Sequence, residues 1–129
     1  MILVLETGGA TTHIYLYEDD KSSAQLEWES GRELSAQLLS RLTGFLAEKH
    51  IGLDDLSGIV IFSGPGSFTS LRIGHSVANA LADSLAIPVV GADGDGWIRS
   101  GLSAVKTAQP GRPAMPNYGA EANITKPKS

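Results

Sequence analysis

The chain has 129 residues, 42% of them hydrophobic, a formal charge of −4 and no cysteine. That length allows one domain with a real core but not two full lobes, and the missing cysteine excludes disulfides and thiolate metal sites. No apolar run approaches the roughly 18 residues needed to span a membrane.

Met1 leads directly into Ile-Leu-Val-Leu. With no basic stretch before it and Glu6 behind it, this run reads as a buried central strand and not as a signal peptide, which suits a cytoplasmic protein. Thr7-Gly8-Gly9 makes a turn. Thr12 to Tyr17 is β-branched and aromatic, and Ala24 to Glu29 alternates apolar and polar residues, so three strands form an antiparallel meander. A helix over Arg32 to His50 follows. Its apolar stripe is Leu34, Leu38, Leu39, Leu42, Phe45 and Leu46. Its other face holds Ala36, Ser40, Thr43, Gly44 and Ala47, where a plain solvent face would carry Lys and Glu. Small residues at this spacing let another helix approach closely; a merely exposed face of small residues is the alternative. Gly58 to Phe62 is a short buried strand, and Ser63-Gly64-Pro65-Gly66 is a loop. A second helix starts at Ser67 or Thr69 and runs to Leu85, with Ile73, Gly74, Val77, Leu81 and Leu85 on its core face. Pro88 cannot continue it. Val89-Val90 begins another strand, and residues 97–108 suit one short helix.

The order β-β-β-α-β-α-β-(α) implies an α/β fold with a mixed sheet and helices packed on it. That is the ribonuclease-H-like order of a single lobe, as in actin-like and sugar-kinase ATPases. It assigns residues 1–105 to the lobe. Residues 106–129 form a tail with four of the six prolines, expected to be extended or disordered unless something binds it. The charge is divided in the same way, −7 over residues 1–105 and +3 over 106–129. An acidic body is a poor platform for a polyanion; the basic tail suits a solvated terminus or a modest contact with phosphate or an acidic surface.

The segment Ser63 to Gly74 is the strongest candidate for chemistry. Two glycines tolerate positive φ and close backbone approach, and the amides at a helix start form an anion site. Gly64, Pro65, Gly66, Ser67, Thr69 and Arg72 therefore make a possible phosphate loop. No Lys follows the glycines, so it is not a Walker A loop, and a capped tight turn that binds nothing is the competing reading. Other candidates are weaker. His13, His50 and His75 lack metal-ligand spacing. Glu18-Asp19-Asp20 reads as a solvated turn, and Trp28, Trp97, Tyr15 and Tyr17 read as packing residues.

Taken whole, Gly64-Pro-Gly-Ser-Phe-Thr-Ser-Leu-Arg-Ile-Gly74 resembles the signature of the TsaB (YeaZ) family of bacterial tRNA threonylcarbamoyladenosine biosynthesis. The resemblance extends to Ile2-Leu-Val-Leu-Glu-Thr7, to Leu81-Ala82, to Ile87-Pro-Val-Val-Gly91 and, loosely, to the tail from Pro116-Asn117-Tyr118 through Ile124-Thr125-Lys126-Pro127. Three departures stand out. Glu6 replaces the usual Asp after the first strand, Ser70 replaces a Gly of the signature, and the second lobe of the family is expected to be absent here.

The resemblance implies a non-catalytic scaffold with no cofactor, no metal and no catalytic residue of its own. It would form a helix-bundle heterodimer with TsaD, the transferase acting on the tRNA adenosine beside the anticodon. TsaE would join through the complex, and tRNA would be met only there. The implied interface is Ala36, Ser40, Thr43, Gly44 and Ala47, with His75, Ala78 and Ala82 at the edge of the second helix; the same surface could form a homodimer. The alternative is a minimal ATPase or phosphotransferase using Gly64 to Ser67. A single lobe cannot enclose a nucleotide, so such catalysis would need a second protein.

Overall fold

Ile2 to Leu5 is apolar on both faces, so it needs strand neighbours at both edges and helices above and below. It has all of these in the computed structural model, which describes residues 1–117. The elements are β1 (Ile2–Glu6), β2 (Thr11–Glu18), β3 (Lys21–Glu29), α1 (Leu34–Glu48), β4 (Gly58–Phe62), α2 (Phe68–Leu85), β5 (Val89–Ala92) and α3 (Trp97–Val105). They build one mixed sheet in the order β3-β2-β1-β4-β5. β1 pairs antiparallel with β2 and parallel with β4. β2–β3 is antiparallel and β4–β5 parallel. This is the single ribonuclease-H-like lobe expected from the element order. The tail resemblance from Tyr118 onward lies outside the described residues.

The acidic run ends β2 as expected. Asp19 (φ 53°) and Asp20 (φ 64°) are both left-handed, the backbone that a two-residue hairpin turn demands. Asp20 also pairs with Lys106 of the α3 end at 2.7 Å.

The pleat divides the core. Leu3, Leu5, Ile14, Leu16, Ile59 and Ile61 face α1 and α2, in one cluster with Leu34, Leu38, Leu42, Phe45 and Leu46. Val4 and Val60 face α3, against Leu102 and Val105. α3 lies close because Gly101 has no side chain where Val60 rises from β4, and because Gly58 leaves room for Val105, whose Cγ2 would stand 2.8 Å from a Cβ there.

Two faces differ from expectation. Leu39 does not join the apolar stripe of α1 and is 52% exposed. On α2 the buried set is Leu71, Gly74, His75, Ala78, Leu81 and Ala82, with Ile73, Val77 and Leu85 only half-buried. The helix is turned relative to a reading by hydrophobicity because its small residues face inward, where the helix must approach the sheet. His75, Ala78 and Ala82, expected at a partner surface, are therefore in the core.

Beyond α3 the chain continues as an irregular segment that returns to α2. Asn79 Nδ2 donates to the Ala114 carbonyl at 2.9 Å, and the Ala114 N–H donates to Asn79 Oδ1 at 2.8 Å. The Asn117 N–H reaches the Ser63 carbonyl at 2.6 Å.

Candidate functional site

The signature segment links the end of β4 to the start of α2, and the turn after β1 lies against it. Ser67 caps α2, its Oγ accepting from the Ser70 N–H at 3.3 Å. The Ser67 N–H donates to the Gly8 carbonyl at 2.8 Å, and the Leu71 N–H to the Ser67 carbonyl at 2.9 Å. A Cβ on Gly66 would stand 2.7 Å from that Gly8 oxygen, so two glycine turns touch back to back.

Gly74 sits two helical turns on. A side chain there would collide with Thr7, which is fully buried and whose Oγ1 donates to the Ser70 carbonyl at 3.0 Å. Thr7, Gly8, Gly66 and Gly74 thus form one close joint between β1 and α2. Sequence reading identified the glycines but missed Thr7, whose partner lies more than sixty residues away. The glycine in the interior of α2 was the available signal, since nothing else recommends Gly there.

The phosphate-loop candidates are divided by this joint. Gly64 is buried, while Pro65, Gly66, Ser67, Thr69 and Arg72 are exposed. The amides of Ser67, Ser70 and Leu71 are turned to protein acceptors, and the Arg72 guanidinium lies over the Phe68 ring at 5.8 Å. Glu6, at the family's Asp position, lies with one carboxylate oxygen 3.3 Å from His13 Nδ1; Glu27 lies 3.4 Å from Nε2. Beside them Tyr15 has its phenol pKa raised, by burial first and by the charge of Glu6 next. Among the described residues no group of three or more His, Asp or Glu could hold a metal ion, and no helix is long and apolar enough to cross a membrane.

The α1 candidates do share one surface. Ala36, Ser40, Thr43, Gly44 and Ala47 are all exposed, and nothing lies within 4 Å of a Cβ placed on Gly44. Next to them α1 and α2 bound a groove of about 450 Å³ lined by Ser35, Thr69, Arg72, Ile73, Ser76 and Val77. Thr69 and Arg72, candidates for phosphate, thus line this groove. Leu39 stands one turn beyond Ser35 on α1.

A family model described as "TsaD: tRNA N6-adenosine threonylcarbamoyltransferase" matches residues 28–93, just over half of the chain. The tRNA threonylcarbamoyladenosine biosynthesis protein TsaB of Bacillus subtilis (strain 168) is 34% identical over 88 residues, which is 68% of this chain and 38% of that protein. The chain belongs to the TsaB (YeaZ) family. The tRNA N6-adenosine threonylcarbamoyltransferase of Geobacter sp. (strain M21) is 46% identical over 46 residues, 36% of this chain and 14% of that protein. Among solved structures, YeaZ from Pseudomonas aeruginosa superposes with a TM-score of 0.66 at 26% identity, covering 71% of this chain and 43% of that one. The chain therefore spans about two fifths of the length of the TsaB and YeaZ relatives it matches.

His75 belongs to the core, not to this surface. Its Nδ1 donates to the Leu71 carbonyl at 2.8 Å, while the buried Nε2 has no hydrogen-bond partner among the described residues. Burial holds the imidazole below its usual pKa, and the Leu71 hydrogen bond offsets only part of this. The unfolded chain therefore binds a proton more readily than the folded one. Stability is expected to be level above the unfolded value of about 6.5 and to fall as pH drops below it, levelling again beneath the folded value. Urea titrations across that range check this. His75→Leu should remove its share of the low-pH loss, and parallel pH curves for the two chains would contradict it.

Proposed function

We propose that this lobe is a non-catalytic docking subunit of tRNA threonylcarbamoyladenosine biosynthesis, binding TsaD through the outer faces of α1 and α2. The carrying observation is the exposed row Ala36, Ser40, Thr43, Gly44 and Ala47 beside a groove lined by half-buried Ile73 and Val77. A helical surface of this make-up has small side chains where a second backbone can approach and apolar ones where it can bury area. Family membership supports TsaD as the partner, TsaE and tRNA being reached through that complex, in the cytoplasm. The same surface would serve a homodimer when TsaD is absent.

The alternative, a minimal ATPase or phosphotransferase, has less support. The amides at the start of α2 serve Gly8 and Ser67, and Glu6 is directed towards His13. Calorimetry separates the two readings. The docking reading expects saturable binding to purified TsaD and no heat from millimolar ATP. ATP binding without TsaD binding would reverse the conclusion.

A further inference from the structure

We propose that residues 114–117 are a latch, held mainly through their main chain, that fixes the path of the chain from α3 back to the glycine loop. The inference is independent of the docking reading.

Three groups from separate elements read the latch. The Asn79 carboxamide of α2 exchanges two hydrogen bonds with the backbone of Ala114, at 2.9 and 2.8 Å. That is the bonding of one antiparallel strand pair, supplied here by a side chain. The Ser63 carbonyl at the end of β4 accepts the Asn117 N–H at 2.6 Å, while the Ser63 N–H is tied to Ala92 of β5. Asp93 accepts from the Asn117 side chain at 3.0 Å. The Asn117 carbonyl then lies against Gly64, where any side chain would collide with it.

The sequence of the segment suits this grip. Ala114 is small and 7% exposed, whereas Met115 is 73% exposed, so only one side chain is read by shape. Pro113 and Pro116 alternate with Ala114 and Asn117, the two residues whose N–H groups are used. Proline lacks that donor and restricts φ, so the segment is stiffened where no donor is needed, and docking it costs less entropy. The proline-rich composition is thus a feature of a docked segment. Its consequence is spatial: the described chain ends at Asn117 beside the glycine loop and not at the end of α3.

Hydrogen exchange on the intact chain tests this. In the unaltered protein the Ala114 and Asn117 amides should exchange slowly. Asn79→Ala should speed both at least tenfold, and Asn79→Asp should do nearly as much, because a carboxylate cannot donate to the Ala114 carbonyl. Met115→Ser should change neither. Should an Asn79 variant fail to fold, Ala114→Glu leaves α2 intact and should release the same two amides. Fast exchange in the unaltered protein, or unchanged exchange in Asn79→Ala, would overturn the latch.

Discussion

Gly74→Ala is expected to destabilise the chain by about 2–3 kcal/mol, although helix propensity favours the change. On an exposed helix face Gly→Ala gains roughly 1 kcal/mol. At Gly74 the new methyl would be driven into Thr7, whose Cβ and Cγ2 would each lie 2.9 Å away. Thr7 is fully buried at the end of β1 and tied to Ser70, so it cannot swing aside without breaking that bond. Overpacking of this kind typically costs about 1–3 kcal/mol, and relief requires α2 to lift from β1. Guanidinium unfolding of Gly74→Ala, Thr7→Ala and the double variant measures it. The double variant should be more stable than the sum of the single effects, because removing the Thr7 hydroxyl and methyl makes room for the new group. A neutral or stabilised Gly74→Ala chain would contradict the joint between β1 and α2.

Gly44→Arg should do the opposite: leave the fold at least as stable and remove association with TsaD. Nothing lies within 4 Å of a Cβ at Gly44, so a long side chain extends into solvent, and the helix gains roughly 1 kcal/mol from a better former. On a docking surface the same side chain would hold a partner helix several ångströms away. A loss of at least 100-fold in affinity, about 2.7 kcal/mol, is expected by calorimetry, with co-elution lost in size-exclusion chromatography. Gly44→Ala, which adds only a methyl, should keep most of the affinity. Undiminished binding by the Gly44→Arg chain would remove α1 from the interface.

The sheet was largely legible from its residues. Runs such as Ile2 to Leu5 and Gly58 to Phe62 are apolar at nearly every position, and the turn residues between them are distinctive. Within β2 the face was less legible: Tyr15 and Tyr17 read as packing residues, yet it is Ile14 and Leu16 that are fully buried. The rotation of α2 was not legible. Hydrophobicity favours Ile73 and Val77 for the core, yet the joint of Thr7 with Gly74 turns Ala78 and Ala82 inward, and only the distant partner reveals that closeness matters more than apolar area. Leu39 misled in the reverse direction, an apolar residue left 52% exposed beside the α1–α2 groove. The Asn79–Ala114 clamp was invisible for a related reason: a side chain that reads backbone leaves no pattern in the residue it reads.

The sheet order also sets an order of assembly. β1 meets β2 through pairs as near in sequence as Glu6 and His13, but its other edge waits for β4, pairing Ile2 with Gly58. Closing that longer loop is slower and entropically dearer than forming the meander. During synthesis this apolar strand therefore stays open along one edge until β4, more than fifty residues further along, has been made. Until then that edge is a template for any extended chain nearby.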